Sequence, residues 1–245
     1  MTYSMIYFVQ MRGEVANGGM HPVLRSNISD LDGVLYRQLK NASLFHKKPD
    51  FKHEDEPFLD IAQFTPEDRR KLEDSGLIIL PLTRTSIKTE IEIGKPFWTR
   101  WHKDYPDFEA LPSLASEIAV NPVQPHLLNS NNLPLADQIE MVSAYSTELQ
   151  QKLKTKTLRA IMGGASDYVE LSFTYLARTG IYLFGQDFDY SFARTTTPIT
   201  ETTVADVGGF GADSGLIVLH SNKYIGGQGL FAVPLIVPCQ PTNGL

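Results

Sequence analysis

Three groups of residues carry the chemistry available to this chain. The first is Lys95–Pro106, KPFWTRWHKDYP, where Phe97, Trp98, Trp101 and Tyr105 alternate with Lys95, Arg100, His102 and Lys103. Both tryptophans of the chain are here. Aromatic faces stack on bases and cations neutralise phosphates, so this mixture suits single-stranded nucleic acid. The competing reading is a tryptophan anchor that closes a loop onto the core. The second group is Lys152, Lys154, Lys156 and Arg159, with no acid among them. They follow a helical pattern, where cations favour the C-terminal dipole, and they also form a candidate phosphate-contact patch. The third is Asp187 and Asp189, an Asp-x-Asp whose carboxylates share one face if the segment is a strand. With Asp167, Glu170 and His220 brought in by folding, such a pair can hold a divalent cation or divide acid–base roles. As turn residues they do neither.

A fourth feature is backbone rather than side chain. Val204–Pro238 alternates two apolar strands, Leu216–Leu219 and Leu230–Val237, with glycine clusters. The clusters are Gly208, Gly209, Gly211 and Gly215, then Gly226, Gly227 and Gly229, out of eighteen glycines in all. Glycine packs nothing and costs backbone entropy, so this density serves tight turns or a close approach to the main chain.

Other signatures fail. There is no phosphate-binding G-x-x-x-x-G-K-[ST] loop and no G-x-S-x-G elbow. Gly227–Ala232 fits G-x-G-x-x-A, but a strand pattern with Pro234 follows where a dinucleotide site needs a helix. His46 and His53 lie in the charged stretch Lys47–Asp60 and its margin, at a spacing that matches no metal-ligand geometry. The single cysteine, Cys239, sits near prolines with no histidine placed to activate it.

The elements that must position these groups follow from periodicity and caps. Tyr3–Met11 reads as a strand, Glu14–Pro22 as a loop, and Leu31, Leu35 and Leu39 as one stripe of a helix capped by Ser29. Thr65-Pro66-Glu67-Asp68 starts a short surface helix that Gly76 stops. Leu77–Leu82 reads as a buried strand ending at Pro81, and Ile87, Thr89, Ile91 and Ile93 as a half-exposed strand. Leu111–Pro134 is rich in proline and asparagine and predicts an irregular connection. Leu135–Leu153 predicts an amphipathic helix, Tyr168–Ala177 a strand, Gly180–Phe192 one or two strands, and Thr195–Thr203 a loop or edge.

The totals narrow the class. A chain of 245 residues with 42% hydrophobic residues can bury a core. No apolar run reaches the roughly 18–20 residues of a membrane span, and the N-terminus shows no secretory pattern. One cysteine fits a reducing, cytoplasmic setting. A net charge of −6 disfavours a naked, non-specific nucleic-acid binder but permits a local basic groove.

In order along the chain, YFVQMRGEVANGG, the run Leu31-Asp32-Gly33-Val34-Leu35, Leu80-Pro81-Leu82, Trp98-Thr99-Arg100-Trp101 and the glycine-rich C-terminal region resemble a RAMP-superfamily subunit of a CRISPR ribonucleoprotein. The likeness is to the subunit that caps the 5′ handle of the guide RNA, in a type IV-like system. It implies an α+β fold: a ferredoxin-like (RRM-like) antiparallel sheet with helices on one face, plus an inserted hairpin or thumb. It implies one domain over 1–245 with an irregular insertion at about 94–134. It implies a non-catalytic, cytoplasmic subunit with guide RNA and other subunits as partners, and no metal or cofactor. RNA would lie over Gly208, Gly209, Gly211, Gly226, Gly227 and Gly229. Arg84, Lys88, Lys95, Arg100, Lys103 and Lys223 would neutralise its backbone, Trp98 or Trp101 would stack a base, and Lys152, Lys154, Lys156 and Arg159 would form a second patch. Two readings compete: a viral or phage capsid or tail protein, which predicts homo-oligomers without RNA, and a small-molecule enzyme using Asp187, Asp189 and His220.

Overall fold

The computed structural model describes residues 61–98, 106–186, 189–211 and 215–239. The expected strand Tyr3–Met11, the helix after Ser29 and the His46/His53 stretch lie outside them, as do Arg100, Trp101, Lys103 and Asp187. Among the described residues no helix is long and apolar enough to cross a membrane.

The first helix, α1 (Pro66–Asp74), forms where its caps require. The Thr65 hydroxyl accepts the Asp68 amide, proline opens the first turn, and Gly76 adopts φ +80° just past the end. Strand β1 (Ile78–Thr83) follows and pairs antiparallel with β2 (Ala115–Val120). Pro81 lies inside β1 instead of ending it. That is tolerated because β1 is an edge strand among those described, so the missing amide leaves no ladder bond unmade.

Two expected strands are helices. Ile87–Ile93 contains α2 (Ile87–Glu92). The Ser86 hydroxyl accepts the Thr89 amide at 3.1 Å, and Ile87 and Ile91 face the core one turn apart. Ile87, Ile91 and Ile93 fit both periods over so short a run, and the serine cap decides between them. Tyr168–Ala177 lies within α5 (Ala165–Thr179), which has ten buried residues. This helix is covered on more than one side, so its apolar residues run around it and mimic a period of two. Gly180 ends it at φ +71°.

After the short α3 (Pro106–Glu109), β2 runs through the stretch expected to be irregular. Helix α4 (Leu135–Leu153) has the expected bounds, and β3 (Leu158–Met162) follows it. The first sheet has the order β1-β2-β10-β3, with β10 (Pro234–Pro238) paired antiparallel to β3. Leu72 of α1 and Val142, Leu149 and Leu153 of α4 pack with Ile79, Ala119, Leu158 and Ile236 on one side of this sheet. Tyr168, Val169 and Leu171 of α5 pack with Leu80, Leu82, Ile118 and Leu235 on the other.

A second sheet closes over α5. It is built on β6 (Phe192–Pro198), β7 (Thr203–Gly211) and β8 (Gly215–Asn222), joined by the short β4 (Gly185–Gln186), β5 (Asp189–Tyr190) and β9 (Leu230–Phe231). Thr195–Thr197 of the threonine-rich segment lie in β6, where the pairing with β7 shifts register between Arg194 and Pro198. Leu230–Val237 is not one strand either. Its first two residues join the second sheet and its last residues join the first, with Ala232 and Val233 buried at the crossing.

The α+β class with an antiparallel sheet is therefore observed. Helices lie on both sides of that sheet, so the expected one-sided arrangement does not hold, and the described strands do not lay out the ferredoxin-like order.

Candidate nucleic-acid interface

The turn after α4 is the most organised cationic surface. Lys154 caps the helix in the left-handed conformation at φ +51°, a place usually filled by glycine. The stretch beyond it reads Lys154-Thr155-Lys156-Thr157. Thr155 Oγ1 donates to Asp68 Oδ1 at 2.9 Å and Thr157 Oγ1 donates to Asp68 Oδ2 at 2.6 Å. Thr65 Oγ1 adds a third hydrogen bond to Asp68 at 2.8 Å. Lys152, Lys154, Lys156 and Arg159 are all exposed. One buried carboxylate of α1 thus anchors the half-buried Thr155 and the exposed Thr157 by their hydroxyls and fixes the backbone that carries the cations.

Burial pushes the Asp68 pKa up, but the hydroxyls of Thr157, Thr65 and Thr155 and the charge of Lys71 outweigh it, and the net shift is downward. The depressed folded pKa gives a stability contribution that is present above the ordinary aspartate pKa, about 3.9, and lost as pH falls through the folded value. Asp68→Ala should cost about 2–3 kcal/mol in chemical denaturation at pH 7, since hydrogen bonds to a charged group contribute about 1.5–3 kcal/mol. Amide exchange at Thr155 and Thr157 should quicken well beyond that of α4. Equal quickening throughout would show that Asp68 does not organise the turn specifically.

The second cationic group lies around α2. Arg84 and Lys88 are exposed, and Arg84 has φ +64°. Lys95 is half-buried, its Nζ 5.4 Å from the centre of the Phe173 ring. Phe97 packs this segment onto the core: its ring meets Phe173 edge-on with centroids 5.4 Å apart. Trp98 is 52% exposed, and its amide donates to the Leu216 carbonyl at 3.0 Å. An exposed indole is what base stacking needs.

The structure does not merge the two groups. Arg84 follows β1 and Arg159 lies in β3, at opposite ends of the first sheet's strand order. Lys223 belongs to neither: it is half-buried, with its Nζ 5.1 Å from the Tyr224 ring centre.

Two of the glycines, Gly208 and Gly226, sit against the protein's own main chain. Gly208 and Gly209 are buried inside β7, and Gly211 ends that strand. A Cβ on Gly208 would fall on the Ser191 carbonyl, 2.6 Å from Phe192 Cα. A Cβ on Gly226 would fall on the Asn132 carbonyl. The approaching main chain is the protein's own, so these positions offer no open cradle. Gly227 meets only the Leu230 side chain, and Gly229 has nothing within 4 Å.

The acid–base alternative gains no site. Only the backbone of Asp189, in β5, is described, and no group of three or more His, Cys, Asp or Glu among the described residues is placed to hold a metal ion. Asp167 and Glu170 are buried ties instead. Asp167 accepts the Leu114 and Gly164 amides, each at 2.7 Å, and Glu170 accepts the Thr83 amide and the hydroxyls of Thr83 and Ser113. Burial raises both pKa values, opposed by those hydrogen bonds. Their helix-compatible spacing was the available signal for this shared role. Set against protein-family models, curated proteins and solved structures, the chain finds no match.

Proposed function

We propose that the chain binds RNA as a non-catalytic subunit of a ribonucleoprotein, with the turn Lys152–Arg159 as its main phosphate contact. The observation that carries this is the exposed set Lys152, Lys154, Lys156 and Arg159 on a backbone held by buried Asp68. An acidic chain that organises four cations at one place concentrates its attraction for a polyanion there. Arg84, Lys88, Lys95 and Trp98 extend the reading as a second contact. The specific form, a CRISPR-type subunit in contact with guide RNA, rests on the resemblance of the opening segment, the Leu80-Pro81-Leu82 run and the tryptophan segment.

Replacing Lys152, Lys154, Lys156 and Arg159 together by alanine tests it. Binding of an unstructured single-stranded RNA should weaken by at least about tenfold at low salt. The dependence of log K on log salt should become shallower by about 0.7 for each phosphate that is no longer neutralised. Unchanged affinity and slope, with the fold retained by circular dichroism, would overturn the proposal. Homo-oligomeric particles free of RNA on purification would favour the assembly-protein reading instead.

A further inference from the structure

The two cationic groups stand at opposite edges of the first sheet but at the same end of it. Strands β1, β2, β10 and β3 lie in that order, each antiparallel to its neighbour. Strand β1 therefore ends where β3 begins, and the register fixes the levels. Thr83, the last residue of β1, pairs with Ala115. Ile236 pairs with Ala119 and Pro238 with Leu158, so Leu158 stands level with Glu117. Lys156, two residues earlier, comes near the level of Ala115 and Thr83. Arg84 follows Thr83 directly, and Lys88 lies in the first turn of α2. Both edge strands thus continue, at one end of the sheet, into segments that carry exposed cations.

Each segment is tied to the inner strand beside it. The Arg84 amide donates to the Leu114 carbonyl at 3.2 Å, and the Ser113 amide to the Thr85 carbonyl at 2.7 Å. At the other edge the Cys239 amide, just past β10, donates to the Thr157 carbonyl at 2.7 Å. Ala62 pairs with β2 at Ser116, on the side away from β1, and widens the sheet at this end. From edge to edge there are three to four strand spacings, about 14–19 Å. The carboxylates of β2 and of the first turn of α1 are engaged: Glu117 pairs with Arg69, Glu67 with Lys71 at 2.7 Å, and Asp68 accepts three threonine hydroxyls.

Cations so far apart cannot hold one phosphate, but they can hold one strand. An extended single strand covers the distance with about four nucleotides, the low end of site sizes for single-strand binders. We propose that one RNA strand crosses this end of the sheet, from the Lys152–Arg159 turn at one edge to Arg84 and Lys88 at the other. This rests on the RNA-binding reading above and names the form of its ligand, a single strand long enough to reach both contacts. Once the first contact is made the second is intramolecular, so length adds affinity that neither contact gives alone.

Oligouridylates of three and ten nucleotides test this by competition at low salt: the first falls short of the distance and the second exceeds it. The wild-type chain should bind the longer strand at least about fiftyfold more tightly, above the roughly eightfold that overlapping registers supply. One long strand should bind per chain. Arg84→Gly, which suits the left-handed backbone there, combined with Lys88→Ala should bring the gain down to the register value. The salt slope for the longer strand should become shallower by about 0.7 for each phosphate released. A wild-type gain no larger than the register value, a gain that survives the substitutions, or two long strands on one chain would overturn the shared track and leave the Lys152–Arg159 contact standing. Failure to bind either oligomer would remove the RNA-binding reading itself, and the track with it.

Discussion

Replacing Arg194 by methionine should destabilise the chain by about 3–5 kcal/mol, the range for breaking one partner out of a buried ion pair. Arg194 is fully buried in β6. Its Nη1 donates to the Leu133 carbonyl at 2.9 Å and its Nη2 to the Ile225 carbonyl at 2.7 Å. Those carbonyls belong to two loops that also bind each other, through the Asn132 amide and the Gly227 carbonyl. The guanidinium therefore fastens both loops to the second sheet. Its Nε lies 3.9 Å from Asp206 Oδ1, within ionic attraction but too far for a hydrogen bond. Methionine would leave the Leu133 and Ile225 carbonyls without their donor and a buried carboxyl without its cation.

The second half of that expectation concerns pH. Asp206, 1% exposed, has its pKa pushed up to about 7 by burial, which the Ser221 hydroxyl and Arg194 only partly offset. Its folded pKa lies above the ordinary aspartate value of about 3.9. The stability it contributes is complete below about pH 4, declines as pH rises, and is lost once pH passes about 7. Urea titrations should show this decline in the wild type, on the order of a few kcal/mol, and Asp206→Asn should flatten it. Arg194→Met should cost more at pH 8 than at pH 5.5, because the carboxyl it strands is neutral in acid. A cost independent of pH would show that Asp206 does not hold its proton in the folded state.

The other large effect is expected from a single methyl group. Gly208→Ala should cost about 3 kcal/mol or more, the upper end of overpacking. The obstacle is backbone on both counts, the Ser191 carbonyl and Phe192 Cα, and neither can rotate away as a side chain would. Gly208 pairs with Phe192 in the β6–β7 ladder, so relief requires the strands to part. Gly229→Ala is the control: nothing lies within 4 Å of the added atom, and the change should stay within about 0.5 kcal/mol. Similar thermal shifts for the two would contradict the packing described for β7.

These residues show what the sequence made legible. Caps were readable, because Thr65-Pro66 and Gly76 act through neighbours one turn away. Helix α4 was readable because one face meets the core and the other meets water. Helix α5 was not, since burial between two sheets removes the polar face that marks a helical period. The role of Asp68 needs Thr155 and Thr157, nearly ninety residues away, and no local pattern announces such a meeting. The meeting of Arg194 with Asp206 has no local signature either, since the two lie on different strands. The glycine clusters were noticed, but a close approach has two possible sources, and only the folded chain shows that Ser191 and Asn132 provide it.

Strand β10 lies between β2 and β3 in the first sheet and is the last described strand to leave the ribosome. Until it arrives, the growing polypeptide holds an open slot flanked by unpaired main-chain groups. Two nascent copies close together could fill each other's slots, giving an exchanged dimer whose subunits are each complete only through the other.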